Sequence, residues 1–434
     1  MDDLRKLALE AVRIAKRRAP GGCEVLYSRT DAATRTTDAN PKSWSEASLQ
    51  VRLFDGKGGV GLATGGYEGG QDVAALVDRA AAAMGPAPEG DTRPSPRLDV
   101  VERGLGIDDP RLPMLDEAAR AEVLEWNLEG LAGTEGLRVG RFEYTEARTQ
   151  RAYASSRDFE LSEGSTVFSL RGTVSSTSAP ALSLTDCLRS RNFAEVGSKP
   201  LGVELGRRVL AMGKPAALPR GPTLVVLEQR AVGALLPKLL AAFSLEAMQS
   251  GQSFLAGHIG RRVGNTPLHV IDDALRPGGL ATRRFDSRGI SALPITLLKE
   301  GVVAGWYQGT VASARSDSRS SGHEHPDGSL WMGNLICRAG TRSRNMLFPD
   351  MGEFVVIDDV LDTSGVDVAT GRLVAKVRVS VWSGNRCVGY AGERTLDTTI
   401  EALFMGVQHL CNDQERHGIV DTPTWIVDGP WFSA

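Results

Sequence analysis

The chain has 434 residues, which at roughly 150 residues per domain predicts two or three domains. Lys and Arg number 50 against 53 Asp and Glu, so the net charge of -3 lacks the basic excess of a nucleic-acid-binding protein. Hydrophobic residues make up 41% of the chain, as in ordinary folded domains, and no apolar run reaches the roughly 18 residues of a transmembrane helix. The composition therefore predicts neither a nucleic-acid partner nor a membrane span.

The N-terminus and the cysteines predict a cytoplasmic protein. Charges are scattered through the first fifteen residues or so, without the apolar centre of a signal peptide. The five cysteines are odd in number and widely spaced, and no C-x-x-C pair is present. Neither a disulfide framework nor a zinc ribbon is encoded, which fits a reducing compartment.

Helix and strand patterns alternate through residues 1–85. Apolar residues at spacings of three and four predict a helix over residues 4–15, and an alternating pattern predicts a strand over 47–54. Further strands are predicted at 23–28 and 60–64, with a second helix at 72–84. This order predicts an N-terminal α+β domain with an antiparallel sheet.

Two proline-rich stretches divide the remaining chain. Residues 86–113 carry six prolines and no regular period, which predicts a linker or crossing segment. A central α+β region over 114–221 then follows, with helices at 115–131 and 194–212 and a strand meander between them. A domain over 222–434 is mostly β, with flanking helices at 230–249 and 396–412. The predicted fold class is α+β.

A glycine motif over residues 56–61 satisfies G-x-G-x-x-G, the pattern of a dinucleotide site. That site needs the glycines to open a helix, whereas residues 60–64 continue as a strand. The Asp-Gly and Gly-Gly pairs instead predict a hairpin turn over 55–59. No phosphate-binding loop of the form G-x-x-x-x-G-K-[ST] and no G-x-S-x-G motif is present.

Histidines form one cluster with metal-ligand spacing, at His323 and His325. An H-x-H pair on a strand places both imidazoles on one side, but Gly, Ser and Pro on both flanks predict a loop that is solvated or contacts substrate. A metal site stays the alternative. His409 and His417, eight apart on the predicted last helix, are a weaker pair.

Paired carboxylates occur at Asp272-Asp273 and at Asp358-Asp359. Such pairs can serve acid/base or Mg²⁺ chemistry, but each follows an apolar strand, where Asp is a common turn former. We interpret them as turn or cap residues. The arginines of residues 315–344 could bind a carboxylate or phosphate, and we interpret them as a solvated surface.

From end to end the sequence resembles the TldD/PmbA family, described as modulators of DNA gyrase and as two-subunit metalloproteases. The resemblance rests on the N-terminal helix and strands and on short motifs in a fixed order. These motifs are residues 55–63 (DGKGGVGLA), 253–257 (SFLAG) with Gly260, 285–289 (FDSRG), 298–303 (LKEGVV), 313–315 (SAR) and 321–323 (SGH). The resemblance implies an α+β fold and a role in proteolysis.

In the family, the catalytic subunit carries H-E-x-x-x-H on the helix after the second proline-rich stretch. Two histidines can bind zinc there, and the Glu can deprotonate a metal-bound water. Here the histidine positions hold Pro237 and Ala242, and the Glu position holds Lys238. The resemblance is therefore to the PmbA/TldE branch, which lacks the metal motif. Arg288 is a further departure, because relatives usually carry an acidic residue in this segment.

The resemblance implies a subunit without catalytic residues or cofactor of its own. It would pair with a zinc-bearing TldD-like protein, or with itself, around a chamber for extended peptides. The residues expected to contact substrate are His323, Arg315 and Asp286. Two alternatives stay open: a metallopeptidase using His323 and His325 with a carboxylate, and a homodimeric peptide-binding protein with no proteolytic role.

Overall fold

A computed structural model describes residues 2–88, 90–96, 104–178, 181–220, 223–429 and 432–433. Residues 89 and 97–103 of the predicted linker lie outside the described residues, as do 221–222, where a domain boundary is predicted. Within the described ranges, no helix is long and apolar enough to cross a lipid bilayer. The mixed α+β class predicted from the sequence is confirmed.

A seven-stranded antiparallel sheet forms the N-terminal half. Its strand order is β4-β3-β2-β1-β5-β6-β7. The strands are β1 (Gly22–Thr36), β2 (Lys42–Phe54), β3 (Gly59–Gly66), β4 (Gly85–Pro86), β5 (Leu137–Ser155), β6 (Phe159–Ser176) and β7 (Ser183–Ser190). Since β1 pairs with β5 over thirteen residues, strands from residues 1–85 and 114–221 share one sheet. The predicted strand meander corresponds to β5, β6 and β7.

Helices cover this sheet in two groups. They are α1 (Asp2–Lys16), α2 (Gly70–Ala82), α3 (Glu117–Glu129), α4 (Phe193–Gly197) and α5 (Leu201–Ala211). Helices α1 and α2 pack with β1–β3 in one hydrophobic cluster, and α3–α5 pack with β5–β7 in another. The single helix predicted over 194–212 is wrong, because Pro200 lies between α4 and α5.

Two further sheets share the largest core, in the C-terminal half. One has the order β11-β10-β9-β12-β18-β17 and the other β16-β19-β8-β13-β14-β15-β20. The strands are β8 (Thr223–Leu227), β9 (Val270–Asp273), β10 (Ile295–Lys299), β11 (Val302–Val303), β12 (Asn334–Cys337), β13 (Glu353–Asp367), β14 (Arg372–Ser383), β15 (Arg386–Thr399), β16 (Val407–Leu410), β17 (Glu415–His417), β18 (Val420–Thr422), β19 (Trp425–Gly429) and β20 (Phe432–Ser433).

Helix α6 (Gln229–Leu240) contributes buried side chains to the core that both of these sheets share. The remaining helices are α7 (Leu245–Gln249), α8 (Thr310–Arg315), α9 (Arg344–Leu347) and α10 (Ile400–Met405). The predicted last helix, 396–412, is largely wrong: β15 runs to Thr399, and Gly406 ends α10 before β16 begins. His409 and His417 therefore lie on strands, not on one helix.

The hairpin predicted at residues 55–59 is confirmed. It joins β2 to β3, and one carboxylate oxygen of Asp55 accepts hydrogen bonds from the backbone N–H groups of Lys57 and Gly59, each at 2.7 Å. Gly56 and Gly58 have φ of 75° and 98°, a conformation that favours glycine. The glycines of this motif thus build a turn between strands.

Candidate functional site

Helix α6 carries the positions at which the family resemblance implies a metal motif. Pro237 is half-buried, Lys238 is exposed and Ala242 is fully buried in the hydrophobic core. Ala242 also lies beyond the end of α6, in a short 3₁₀ turn over Ala241–Phe243. The side chains at these three positions are not metal ligands, and they lie in three different environments. The positions therefore do not fit a zinc ion.

His323 is enclosed rather than placed on a solvated loop. Its Nε2 lies 3.2 Å from Oδ1 of Asp272, and its Nδ1 lies 2.8 Å from the carbonyl oxygen of Ser321. Burial lowers the pKa of His323, and the hydrogen bond to Asp272 offsets this only in part. Both ring nitrogens therefore already face acceptor oxygens of the fold.

His325 lies in a different setting from His323. It is about two-fifths exposed, its Nδ1 lies 3.0 Å from Asp327, and its ring meets Trp331 edge to face. Among the described residues, no group of three or more His, Cys, Asp or Glu side chains is placed to hold a metal ion. The two imidazoles thus point to separate partners.

A buried charge network joins the two halves of the chain through Arg288, which is 1% exposed. The Arg288 guanidinium lies 2.8 Å from Glu24 on β1, 2.9 Å from Asp91 and 3.6 Å from Glu324. Arg52 on β2 also contacts Asp91, at 2.6 Å. Three carboxyl groups therefore share two arginines at the junction.

Burial and the two arginines have opposite effects on the pKa values of the carboxyl groups in this network. Burial would raise the pKa of Glu24, but Arg288 and Arg52 bring that pKa below its ordinary value. For Asp91 burial prevails, and its pKa is raised despite the same two arginines. The two arginines therefore outweigh burial at Glu24 but not at Asp91.

Asp286 lies beside this network and is fully buried. It accepts hydrogen bonds from the backbone N–H groups of Arg288, Ile290 and Glu324 at 2.9–3.2 Å, which fixes the turn over residues 286–290. Burial and the neighbouring Glu324 raise its pKa to about 6. Asp286 and the His323 segment are thus brought together, whereas Arg315 is exposed at the end of α8.

The turn prediction holds for Asp273, which ends β9 and accepts a 2.9 Å hydrogen bond from the backbone N–H of Leu275, but it is wrong for Asp358 and Asp359, which lie within β13. Asp272 and Asp273 end β9, and Asp272 accepts a 2.6 Å hydrogen bond from the backbone N–H of Gly333. Asp358 and Asp359 lie inside β13, where the pairing with β14 shifts register between Ile357 and Asp359. Such a bulge turns one side chain out of the regular alternation.

The bulge places Asp358 on a cavity of about 690 Å³ between α5, the start of α6 and β13. Arg208 of α5 and Arg230 of α6 also line this cavity. The sequence analysis did not identify Asp358, Arg208 or Arg230 as residues of a candidate site. The available signals were an arginine on the buried face of α5 and an aspartate pair followed by continued strand character.

The raised pKa of Asp358 predicts that the free energy of unfolding depends on pH. Burial raises its pKa to about 7, with a hydrogen bond to Ser380 opposing and Glu228 reinforcing the shift. A carboxyl group whose pKa is higher in the folded than in the unfolded chain stabilises the fold when it is protonated. This stabilisation is complete below the unfolded pKa of about 3.9 and is lost as the pH rises through about 7. Relative to Asp358→Asn, the wild type should therefore lose stability between pH 4 and pH 7.

The measurement is urea unfolding of both proteins at several pH values from 4.5 to 7.5. Asp362→Asn is the matched control, because Asp362 is exposed on the same strand and hydrogen bonds from Ser364 lower its pKa. That variant should show no trend relative to the wild type in this range. A constant difference between wild type and Asp358→Asn across the series would contradict the assignment.

Comparison with known proteins supports a metallopeptidase-related class. Residues 220–432 match the family model described as "PmbA/TldA metallopeptidase C-terminal domain". "Metalloprotease MJ0996" of Methanocaldococcus jannaschii is 23% identical over 177 residues, 40% of this chain and 39% of that protein. "Metalloprotease PmbA" of Escherichia coli O157:H7 is 22% identical over 218 residues, 50% of this chain and 46% of that protein. The matched part thus spans about two-fifths to half of these relatives.

Solved structures share the whole fold. TldE from Thermococcus kodakarensis superposes with a TM-score of 0.87 at 14% identity, covering 98% of this chain and 100% of that one. A candidate modulator of a DNA gyrase from Thermotoga maritima gives a TM-score of 0.86 at 15% identity, with 98% of each chain covered. The C-terminal half of the chain, residues 220–432, therefore belongs to the TldD/PmbA family.

Proposed function

We propose that this chain is a PmbA/TldE-like subunit without its own metal. It pairs with a TldD-like protein that carries H-E-x-x-x-H and helps to form a chamber for extended peptides. The observation that carries the proposal is the occupation of the motif positions by Pro237, Lys238 and Ala242. None of these side chains can ligate zinc or deprotonate a metal-bound water.

The geometry of α6 supports a loss of metal binding that single substitutions would not reverse. A histidine at position 242 would enter a fully buried hydrophobic site, while one at position 237 would sit at a half-exposed position. The two imidazoles would thus enter different environments, and a single substitution would supply only one ligand. Lys238 adds a positive charge on the exposed side of the same helix, which opposes a cation.

The rival function, a metallopeptidase built on His323 and His325, requires a different arrangement of those residues. A metal at His323 would have to replace the contacts of that imidazole with Asp272 and Ser321. His325 would also have to leave Asp327 and Trp331. The contacts of both histidines favour a structural role.

The test uses protein purified from its native cells without an affinity tag or chelator, with zinc measured by elemental mass spectrometry. We expect a zinc-to-protein ratio near zero for the isolated chain. We also expect a co-purifying partner that carries H-E-x-x-x-H and holds zinc. Peptidase activity should require both chains.

Three outcomes would oppose the proposal. A stable monomer without a protein partner in native lysate would remove the subunit role. A zinc ratio near one, lost in the His323→Ala, His325→Ala double variant together with peptidase activity, would favour the rival. Tight binding of an extended peptide by a homodimer, without cleavage and without a metal-bearing partner, would identify a peptide-binding protein instead.

A further inference from the structure

The cavity beside α6 has the size of a ligand site. Its volume of about 690 Å³ lies within the range of roughly 300–1,000 Å³ that is usual for small-ligand pockets. Aromatic side chains of Phe348 and Trp382 form part of its wall, and amide side chains of Gln229, Asn345 and Asn385 form another part. The wall therefore offers apolar surface and hydrogen-bonding groups together.

Charged groups of this cavity have buried atoms without partners. Asp358 is 4% exposed, and its Oδ2 has no hydrogen-bond partner. Arg208 is 8% exposed; its Nη1 donates to Asp186 at 2.9 Å, but its Nε and Nη2 have no partner. The Nε of Arg230 likewise has no hydrogen-bond partner, and its nearest carboxylate is the same Asp186, at 3.9 Å. A buried polar atom that stays unsatisfied destabilises the protein, so a bound ligand would gain by pairing with it.

Charged side chains of both signs line the cavity. Five carboxylates and four arginines line the cavity: Glu204, Glu228, Asp358, Asp413, Glu415, Arg207, Arg208, Arg230 and Arg344. Arg344 is already paired with Glu228 at 2.6 Å, which leaves Arg208 and Arg230 as the arginines with buried atoms that have no hydrogen-bond partner.

The carboxylates would repel a dianionic phosphate, whereas a planar monoanion fits a guanidinium edge. Helix α6 adds to this preference. It begins at this cavity without a side-chain N-cap, and the positive end of a helix dipole attracts anions.

We propose that this cavity binds the C-terminal carboxylate of a short peptide through Arg208 and Arg230, with the Asp358 carboxyl group hydrogen-bonded to the same carboxylate. The proposal rests on the proposed function, because it identifies where a chamber subunit would hold a peptide end. Phe348 and Trp382 would pack against the terminal side chain. The amides of Gln229, Asn345 and Asn385 would bind the peptide backbone.

The first test compares two probes on the wild-type chain by isothermal titration calorimetry. The probes are N-acetyl-trialanine with a free carboxylate and the same peptide with a C-terminal amide. We expect the free carboxylate to bind at least tenfold more tightly than the amide. Equal affinities, or no binding of either probe, would overturn the proposal without any variant being made.

The second test uses Arg208→Gln and Arg230→Gln, each expected to weaken binding of the free-carboxylate probe at least tenfold. Arg13→Gln, at an exposed position of α1, is the matched control and should leave the affinity unchanged. Unchanged affinity in both cavity variants would overturn the proposal. So would binding of inorganic phosphate in place of the peptide, because it would identify a site for free oxyanions.

This experiment stands apart from the test of subunit pairing. It needs only the isolated chain at equilibrium, whereas the proposed function is tested by zinc content and by the partner in native complexes. A chain that pairs with a metal-bearing partner but shows no preference for a free carboxylate refutes the peptide-end site alone. A chain with no such partner refutes the subunit role, whatever its peptide affinity.

Discussion

Replacement of Arg288 by methionine is expected to lower the free energy of unfolding by about 3–5 kcal/mol, the usual cost of breaking a buried ion pair. The side chain is 1% exposed and contacts Glu24, Asp91 and Glu324, so its loss leaves these buried carboxylates with too little positive charge. Urea unfolding followed by tryptophan fluorescence measures the effect. The loss should shrink as the pH falls toward about 4, because protonation of the carboxylates then removes the repulsion.

The control for this prediction is Arg261→Met, which removes an exposed arginine and should change stability by about 0.5 kcal/mol or less. The double variant Arg288→Met, Glu24→Leu adds a second check. It should lose less than the sum of its single variants, since removal of both partners leaves fewer uncompensated charges. A loss for Arg288→Met that does not change with pH would argue for packing, not charge, as the role of this side chain.

The Gly289→Ala variant is expected to lose about 2–5 kcal/mol from two separate causes. Gly289 has a φ of 68°, where a Cβ costs about 1–2 kcal/mol. A Cβ at this position would also lie 2.5 Å from Cε1 of the buried Tyr153 ring on β5, and overpacking of this kind costs about 1–3 kcal/mol. Urea unfolding again gives the measurement.

Gly257→Ala separates the two causes. Gly257 has a φ of 75° and nothing within 4 Å of the position of an added Cβ. Its variant should therefore show only the backbone cost. Equal losses in the two variants would mean that the contact with Tyr153 relaxes freely, and that the turn over residues 286–290 does not tightly join the two halves of the chain.

Local patterns were enough to predict several elements. The alternation of residues 47–54 corresponds to the second half of β2, and the turn chemistry of residues 55–59 gives the observed hairpin. These elements are set by contacts between near neighbours in the chain. The last predicted helix failed because its β-branched threonines belong to β15 and pair with β14, a contact that no local period shows.

The candidate site was predicted much less completely. The short motifs around Asp286 and His323 were recognised, but their side chains are buried among partners as distant in sequence as Glu24 and Asp272. For Asp358, a bulge in β13 decides the direction of the side chain, and sequence alternation cannot reveal a bulge of this kind.

The sequence by itself determined the α+β class, the family resemblance and the absence of ligating side chains at positions 237, 238 and 242. These properties depend on residue types and on their spacing along the chain. Only the tertiary structure decided that Arg288 neutralises carboxylates from both halves and that Arg208, Arg230 and Asp358 line one cavity. The physical reason is that the charge state and accessibility of a side chain depend on burial and on through-space neighbours, which chain folding brings together.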